Sequence, residues 1–406
     1  MRISIKQKIQ TYRGHFTAGI GWLMGEQIIG TVFGLILTAV LANVLSPTEF
    51  GTYKYVLSVA GFLLILTVPG TNITIIRSIA RGFHGSIADL QKFKLFWCFV
   101  ATIVTVAVSC IYFYKGNSLI GSLMLIAGIG MPVTAFLSNY SSILHGYSQF
   151  RQLSITNIFV RVVHYGSIIV ATISTKNILF IIATYYVSLA VAQLIALKFA
   201  LTKVTKGTSI DPEARRFSNH NNVLDAFSIL SQQIDKILLF QYIGAFELAL
   251  YSIAITPPDI LRGFMKNISS FLMPRMAKYQ SLTFVQHIKN HVIPGSVIAV
   301  VLTALYIALA PFMIPFLFPQ YSGAVYYSQI YALSLLAVTL YPQALLQVKG
   351  GIVESYIHKI LSGSIRIVSI WIGLVYFGVI GVIWAQVISS FLTLIILLIM
   401  AKRVTE

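Results

Sequence analysis

The chain has 406 residues, 57% hydrophobic and only 10% charged, and its 29 Lys plus Arg against 11 Asp plus Glu give a formal charge of +18. Soluble domains carry about 25% charged residues, so this composition excludes a soluble enzyme, a secreted disulfide scaffold and a disordered tail. Apolar stretches of about 20 residues, the length that crosses a bilayer as a helix, recur from Phe16 to Met400.

Twelve spans are expected, at 16–44, 54–76, 95–114, 119–144, 153–174, 178–201, 223–243, 247–272, 292–318, 326–347, 359–377 and 379–400. Stretches such as Leu119 to Ala135 and Ile380 to Met400 are apolar nearly all round. That excludes the alternating strands of a β-barrel. It leaves an all-α polytopic membrane protein whose helices satisfy their own backbone polar groups. The basic N-terminus (Arg2, Lys6, Lys8, Arg13) precedes a run too long for a cleaved signal peptide, so the first helix is expected to be retained. Cys98 and Cys110 share one run, about 18 Å apart along a helix, beyond the reach of a disulfide.

Lys and Arg concentrate at the two ends and in the even-numbered connections; Lys54, Lys115 and Lys176 are the cations of the odd-numbered ones. The positive-inside bias then puts both termini in the cytoplasm. Basic residues dispersed over many short loops do not make a nucleic-acid surface. The longest polar insertion, Lys203 to Asn222, divides the chain into an N-terminal six-helix bundle at 1–205, a basic cytoplasmic linker at 206–222 and a C-terminal six-helix bundle at 223–406. A shift of 198 residues places Leu45–Tyr53 on Ile243–Tyr251, matching Glu49 to Glu247 and Tyr53 to Tyr251, and places Arg77 on Arg275. Repeats of six spans share one membrane orientation, the parallel type of duplication.

Charged side chains inside spans cost roughly 2.5–3.5 kcal/mol each on insertion scales, so each needs a partner, a wet cavity or a function. In the first span Glu26 has no cation nearby in sequence; it must meet one elsewhere, stay protonated or bind a coupling ion. In the fifth, Asn157, Arg161 and His164 share a helical face. Arg161 suits phosphate oxygens through its fixed donor fork, although it also lies low enough to snorkel. His164 is read as a proton relay or as a hydrogen-bonded packing residue.

The seventh span carries the stripe Asp225, Ser228, Gln232 and Asp235 with Lys236 beside it, either an interhelical hydrogen-bond seam or a coupling site. In the eighth, Asp259, Arg262 and Lys266 follow Pro257-Pro258 on one face, which predicts a kinked, cavity-lining helix. The alternative is a local Asp259–Arg262 ion pair with Lys266 snorkelling. Arg366, between Ser362 and Ser369, marks the eleventh span. Arg77 and Arg275 end the equivalent second and eighth spans, as positive-inside anchors or as cavity cations. The candidate substrate-binding cations are thus Arg161, Arg262, Lys266, Arg366, Lys236 and Arg77; the candidate ion-coupling acids are Glu26, Asp225, Asp235 and Asp259. The aromatic tenth span (Tyr326, Tyr327, Tyr331, Tyr341) fits either sugar stacking or the interfacial belt.

Leu41-Ala-Asn-Val-Leu-Ser-Pro-Thr-Glu-Phe-Gly-Thr-Tyr53, Pro69-Gly70 with Ile75-Ile-Arg77-Ser-Ile-Ala80, and Asp235-Lys-Ile-Leu-Leu239 followed by Gly244 and Leu250-Tyr-Ser-Ile-Ala254 together resemble the signatures of bacterial polysaccharide flippases. These are Wzx-type O-antigen and exopolysaccharide flippases of the multidrug/oligosaccharidyl-lipid/polysaccharide exporter superfamily. Ser46 and Ala249 stand where the family usually has Gly. The resemblance implies two pseudo-symmetric six-helix bundles around a central cavity, alternating access, and translocation of an undecaprenyl-pyrophosphate-linked oligosaccharide across the bacterial inner membrane. It also implies the lipid-linked oligosaccharide and membrane lipids as partners, with a polysaccharide polymerase and a chain-length regulator alongside.

The rival readings are a multidrug antiporter of the same superfamily, whose cationic substrates call for an acidic cavity, a lipid II flippase, whose relatives carry two further spans, and an integral glycosyltransferase or polymerase. No phosphate-binding Gly-x-x-x-x-Gly-Lys-Ser/Thr loop occurs, and no His-Glu-x-x-His or Cys-x-x-Cys metal spacing. The expectation is a transporter without covalent chemistry, cofactor or metal, coupled if at all to a proton or sodium gradient.

Overall fold

A computed structural model describes residues 5–205, 207–276, 293–338 and 352–405. Among these it is all-α: α1 (Ile5–Val44), α2 (Pro47–Leu63), α3 (Thr71–Ala80), α4 (Ser86–Tyr114), α5 (Ser118–Leu137), α6 (Asn139–Gly146), α7 (Phe150–Thr175), α8 (Ile178–Leu201), α9 (Ala214–Tyr242), α10 (Ala245–Met276), α11 (Ile293–Leu317), α12 (Ala324–Ala332) and α13 (Ile352–Thr405). Eight stretches among the described residues are long and apolar enough to cross a membrane, the last of them the whole of Tyr356–Met400. The chain is a multi-pass membrane protein. Large apolar side chains such as Phe96, Phe99 and Phe316 are exposed, as lipid-facing residues must be.

The expected spans appear as helices with three breaks. The second is interrupted at Val68 (φ +48), ahead of Pro69-Gly70, so α2 passes through a short 3₁₀ turn (Leu64–Thr67) into α3. Pro69 lacks an amide hydrogen and biases Val68 away from the helical region. The fourth divides at Ser138 into α5 and α6. The eleventh and twelfth lie within α13, divided at Gly378 (φ +61, ψ −140), where Gly373 and Gly381 come into backbone contact. The tenth is described only as α12 and the 3₁₀ turn Leu333–Ala337; Tyr341 lies outside the described residues. α10 continues through Pro257 and Pro258 as one helix.

Local chemistry sets the helix starts. α2 opens with Pro47 at its first position and a reciprocal cap: the Glu49 amide donates to Ser46 Oγ (3.3 Å) and the Ser46 amide to Glu49 Oε2 (3.0 Å). Asn117 and Asn177 cap α5 and α8 through their side-chain oxygens.

The chain forms two compact units. The first comprises Met1–Val44 and Leu63–Asp225, the second Leu45–Phe62 and Ala226–Glu406. Unit 1 therefore holds α1, α3 to α8 and the start of α9, around a core of Ile75, Leu90, Ile143, Leu144, Ala196 and Ala200. Unit 2 holds nearly all of α2 together with the rest of α9 and α10 to α13. Two positions expected outside spans are revised by these boundaries. Lys54 lies inside α2 rather than in a connection, and Lys94 lies inside α4, which begins at Ser86.

Candidate functional site

In unit 1 the isolated acid of the first span meets the cation of the fifth. Glu26 is 6% exposed, and its Oε1 sits 3.2 Å from Arg161 Nη2. Asn157 Nδ2 donates to the same oxygen (3.0 Å), and Tyr140 Oη donates to Asn157 Oδ1 (2.8 Å). Gly30, one turn beyond Glu26, makes room: a β-carbon there would stand 1.7 Å from Arg161 Nη1. The shared face of Asn157 and Arg161 thus serves one carboxylate. His164 is buried and hydrogen-bonds Ser188 Oγ through Nδ1 (3.1 Å), with Tyr185 edge-on at 4.5 Å.

Lys94, only 1% exposed, donates through Nζ to Asn72 Oδ1 and Asn139 Oδ1, each at 2.8 Å. Two amide acceptors offset part of the desolvation of a buried ammonium. The sequence reading had assigned this residue to a loop, so its burial went unrecognised.

Arg77 faces the linker. Its Nη2 donates to Glu213 Oε2 (3.1 Å), and its guanidinium stacks on Phe217 at 4.2 Å. Arg81 pairs with the buried Asp211 at 3.2 Å, and Arg215 forks onto Asp89 at 3.1 and 2.6 Å. The hydrogen bond and charge of Asp89 push the Arg215 pKa further up from its already high value. The Asp211 amide donates to Ser86 Oγ (2.7 Å) and the Gly85 amide to Ser209 carbonyl oxygen (3.0 Å). Upstream, Tyr147 Oη bonds His84 Nδ1 and Thr205 Oγ1. The described part of the expected linker is therefore strapped to unit 1.

Unit 2 contains two adjoining polar clusters. In the first, Asp235 (1% exposed) accepts from Tyr251 Oη (2.6 Å) and Gln386 Nε2 (2.8 Å), and Arg366 Nη2 stands 3.9 Å away. Arg366 Nε is buried with no hydrogen-bond partner, so the Asp235 contact leaves donor capacity on this guanidinium. In the second, Arg262 Nη1 lies 3.2 Å from Asp259 Oδ1, and Tyr331 Oη bridges them, donating to Asp259 (2.8 Å) and accepting from Arg262 (3.1 Å). Arg262 also bonds Ser334 Oγ and lies over the Tyr331 ring. The clusters share α10, which carries Tyr251 in the first and Asp259 and Arg262 in the second, two to three turns apart.

Arg262, Asp259, Asp235 and Arg366 are thus brought together within one unit. Lys236 extends from α9 next to Asp235 without pairing with it. Asp225 is partly buried on α9 with interactions of its own. The Lys266 and Arg275 side chains lie outside the described residues. Of the residues that complete the clusters, Tyr331 is legible in the sequence only as a sugar-stacking or interfacial aromatic, Tyr251 only as a repeat match, and Gln386 not at all. No group of His, Cys, Asp and Glu among the described residues is arranged to hold a metal ion.

Comparison with known proteins bears on what such a scaffold does. Residues 16–280 match the family described as polysaccharide biosynthesis protein. No curated protein matches the chain. Among solved structures, the lipid II flippase MurJ in an inward closed conformation is similar with a TM-score of 0.73 at 12% identity, over 92% of this chain and 86% of that one. An inward-facing multidrug resistance MATE family transporter of the MOP superfamily gives 0.67 at 15% identity, over 92% and 94%. A MOP superfamily transporter from Pyrococcus furiosus, described by a binding pocket of reverse polarity that suggests a different function, gives 0.65 at 16% identity, over 95% of each chain. These likenesses establish the fold.

Proposed function

The chain belongs to the family of polysaccharide biosynthesis proteins, and on that premise we propose that it is a flippase for a lipid-linked, anionic oligosaccharide. Its substrate is an undecaprenyl-pyrophosphate-linked repeat unit of O-antigen, capsule or exopolysaccharide, carried across the bacterial inner membrane by alternating access with both termini cytoplasmic. The observation that carries this reading is the charge balance within the helices. Over the eight long apolar helices, Lys54, Lys92, Lys94, Arg151, Arg161, Lys198, Lys359 and Arg366 outnumber Glu26, Glu49 and Asp89. A site for cationic drugs calls for the opposite balance; the pyrophosphate of a polyprenyl carrier calls for this one.

Arg262, lying over the Tyr331 ring, and Arg366, beside Asp235, would engage the pyrophosphate and acidic sugars. Lys266 adds to them on the same helix. A substrate drives the conformational change only through unequal affinity for the two states, and neutralising this charge supplies that difference. Glu26, with its Arg161 partner, and Asp235, with Asp225 and Asp259 nearby in sequence, are the acids through which a proton or sodium gradient would couple. A polymerase and a chain-length regulator would take over the product at the far leaflet. No covalent chemistry is required.

The test is deletion and complementation. Loss of the gene should remove surface glycan and leave its lipid-linked repeat unit on the cytoplasmic leaflet, and wild-type protein should restore display. Unchanged glycan with altered drug resistance would assign the antiporter reading instead; rescue of lipid II translocation would assign the lipid II flippase.

A further inference from the structure

Four of the cations inside the helices, Lys94, Arg161, Arg262 and Arg366, have an oxygen beside them. Glu26 answers Arg161, Asp259 answers Arg262, Asp235 lies beside Arg366, and two asparagines take Lys94. Lys54 and Lys236 differ, because no carboxylate or hydrogen-bond acceptor meets either ammonium among the described residues. Lys54 Nζ lies 5.1 Å from the Phe50 ring. The acids nearest in sequence are already committed. Asp235 is turned to Tyr251 and Gln386, and Glu49 caps its own helix through Ser46.

The packing of unit 2 puts the two lysines on facing helices. α2 runs against α9 and the start of α10 in a tight seam. At one end a β-carbon on Gly51 would meet the Ala245 carbonyl oxygen at 1.8 Å. Further along, Tyr55 stacks on Phe240 at 3.8 Å and accepts from Gln241 Nε2 at 2.5 Å. At the other end a β-carbon on Gly61 would lie 3.1 Å from the Gln233 side chain. Lys54 stands one turn from Gly51 and Ser58, and Lys236 one turn from Gln233 and Phe240, so both belong to the contacting faces. Two like charges held in such a seam repel each other unless an anion lies between them.

We propose that Lys54 and Lys236 form a binding site for a polyvalent phosphate anion of the pyrophosphate class, seated where α2 meets α9. A diphosphate presents several oxygens to the two ammonium groups and replaces their mutual repulsion with attraction, so its binding tightens the α2–α9 seam. The assignment rests on the flippase reading only for the source of the anion, the substrate's pyrophosphate; an anionic lipid headgroup offers related chemistry.

The full-length chain in nanodiscs of zwitterionic lipid, titrated with inorganic pyrophosphate by calorimetry, tests the site. Saturable binding that weakens by at least about tenfold in both Lys54→Gln and Lys236→Gln, and persists in the double Lys→Arg variant, is the expected result. Undiminished binding by the glutamine variants, equal loss in the arginine variant, or no binding by the wild type would each overturn the site. A measurement on the wild type needs no substitution: pyrophosphate should protect Lys54 and Lys236 from an amine-acylating reagent, read by mass spectrometry, and unchanged labelling would overturn the proposal. Repeating the titration with phosphatidylglycerol in the nanodiscs separates the sources, since a headgroup occupant competes with pyrophosphate and a substrate site does not respond. Glycan display distinguishes the two readings. If the deletion strain loses glycan while K54Q binds pyrophosphate like wild type, this site fails and the flippase stands; if the site binds while deletion leaves glycan intact, the flippase reading fails.

Discussion

Arg161 reaches Glu26 across two helices through the gap that Gly30 leaves, closing to 3.2 Å between charged atoms. The carboxylate is buried and the guanidinium is about one-third exposed. This pair joins an acid from the coupling candidates to a cation from the substrate candidates, so neither acts alone.

Glu26→Ala should destabilise the protein by about 1.5–3 kcal/mol, the worth of hydrogen bonds to a charged group, read as a fall in Tm in detergent. Gly30→Ala should displace the guanidinium and weaken the same pair. Because both act on one contact, the double variant should fall short of the sum of the single effects; full additivity would show that Gly30 does not position Arg161.

Tyr331 holds Asp259 and Arg262 through one hydroxyl. Tyr331→Phe should therefore cost about 1–3 kcal/mol by leaving both partners short of a hydrogen bond. Arg262→Gln should abolish glycan display with protein still in the membrane. Restoration of display by Asp259→Asn in the Arg262→Gln background would reduce Arg262 to an answer to Asp259 and remove its substrate role.

The linker is fixed by its acids. Asp211→Asn together with Glu213→Gln should free the strap from Arg77 and Arg81, and trypsin should then cut faster at Lys203 or Arg215, read by mass spectrometry. Asp89→Asn should have a smaller effect on stability, since the Arg215 end of its pair is solvent-exposed. Equal cleavage of wild type and the double variant would show that ion pairs do not hold the strap.

Lys94→Met keeps the volume of the side chain but leaves the Asn72 and Asn139 oxygens without their donor. Each unsatisfied buried acceptor costs about 1–3 kcal/mol, so a marked fall in Tm is expected. Adding Asn72→Leu should recover part of it, because replacing both partners removes the orphaned group. A Lys94→Met variant as stable as wild type would mean that the ammonium contributes nothing to holding α4.

Much of the architecture was legible because bilayer helices depend on local features. The span edges at Val44, Tyr114 and Leu201 are readable to the residue, whereas the break of the second span at Val68 and the caps at Asn117 and Asn177 emerge only in the structure. Lys54 and Lys94 were misjudged because a lone lysine near the end of an apolar run looks like an interfacial residue. Only knowing that α2 begins at Pro47 and α4 at Ser86 shows them to be inside. Pro257-Pro258 predicted a kink that α10 absorbs within a continuous helix.

The amino-acid sequence by itself determined that the chain crosses a membrane, where its helices run and which side chains are too polar for lipid. Hydropathy and the 3.6-residue repeat are properties of one helix at a time. Tertiary structure alone decided which charge meets which. Glu26 with Arg161, Arg262 with Tyr331, and Asp235 with Gln386 meet across 135, 69 and 151 positions of the chain. Such meetings depend on contacts of a few ångströms between packed helices, and the periodicity of a single helix carries no information about its neighbour.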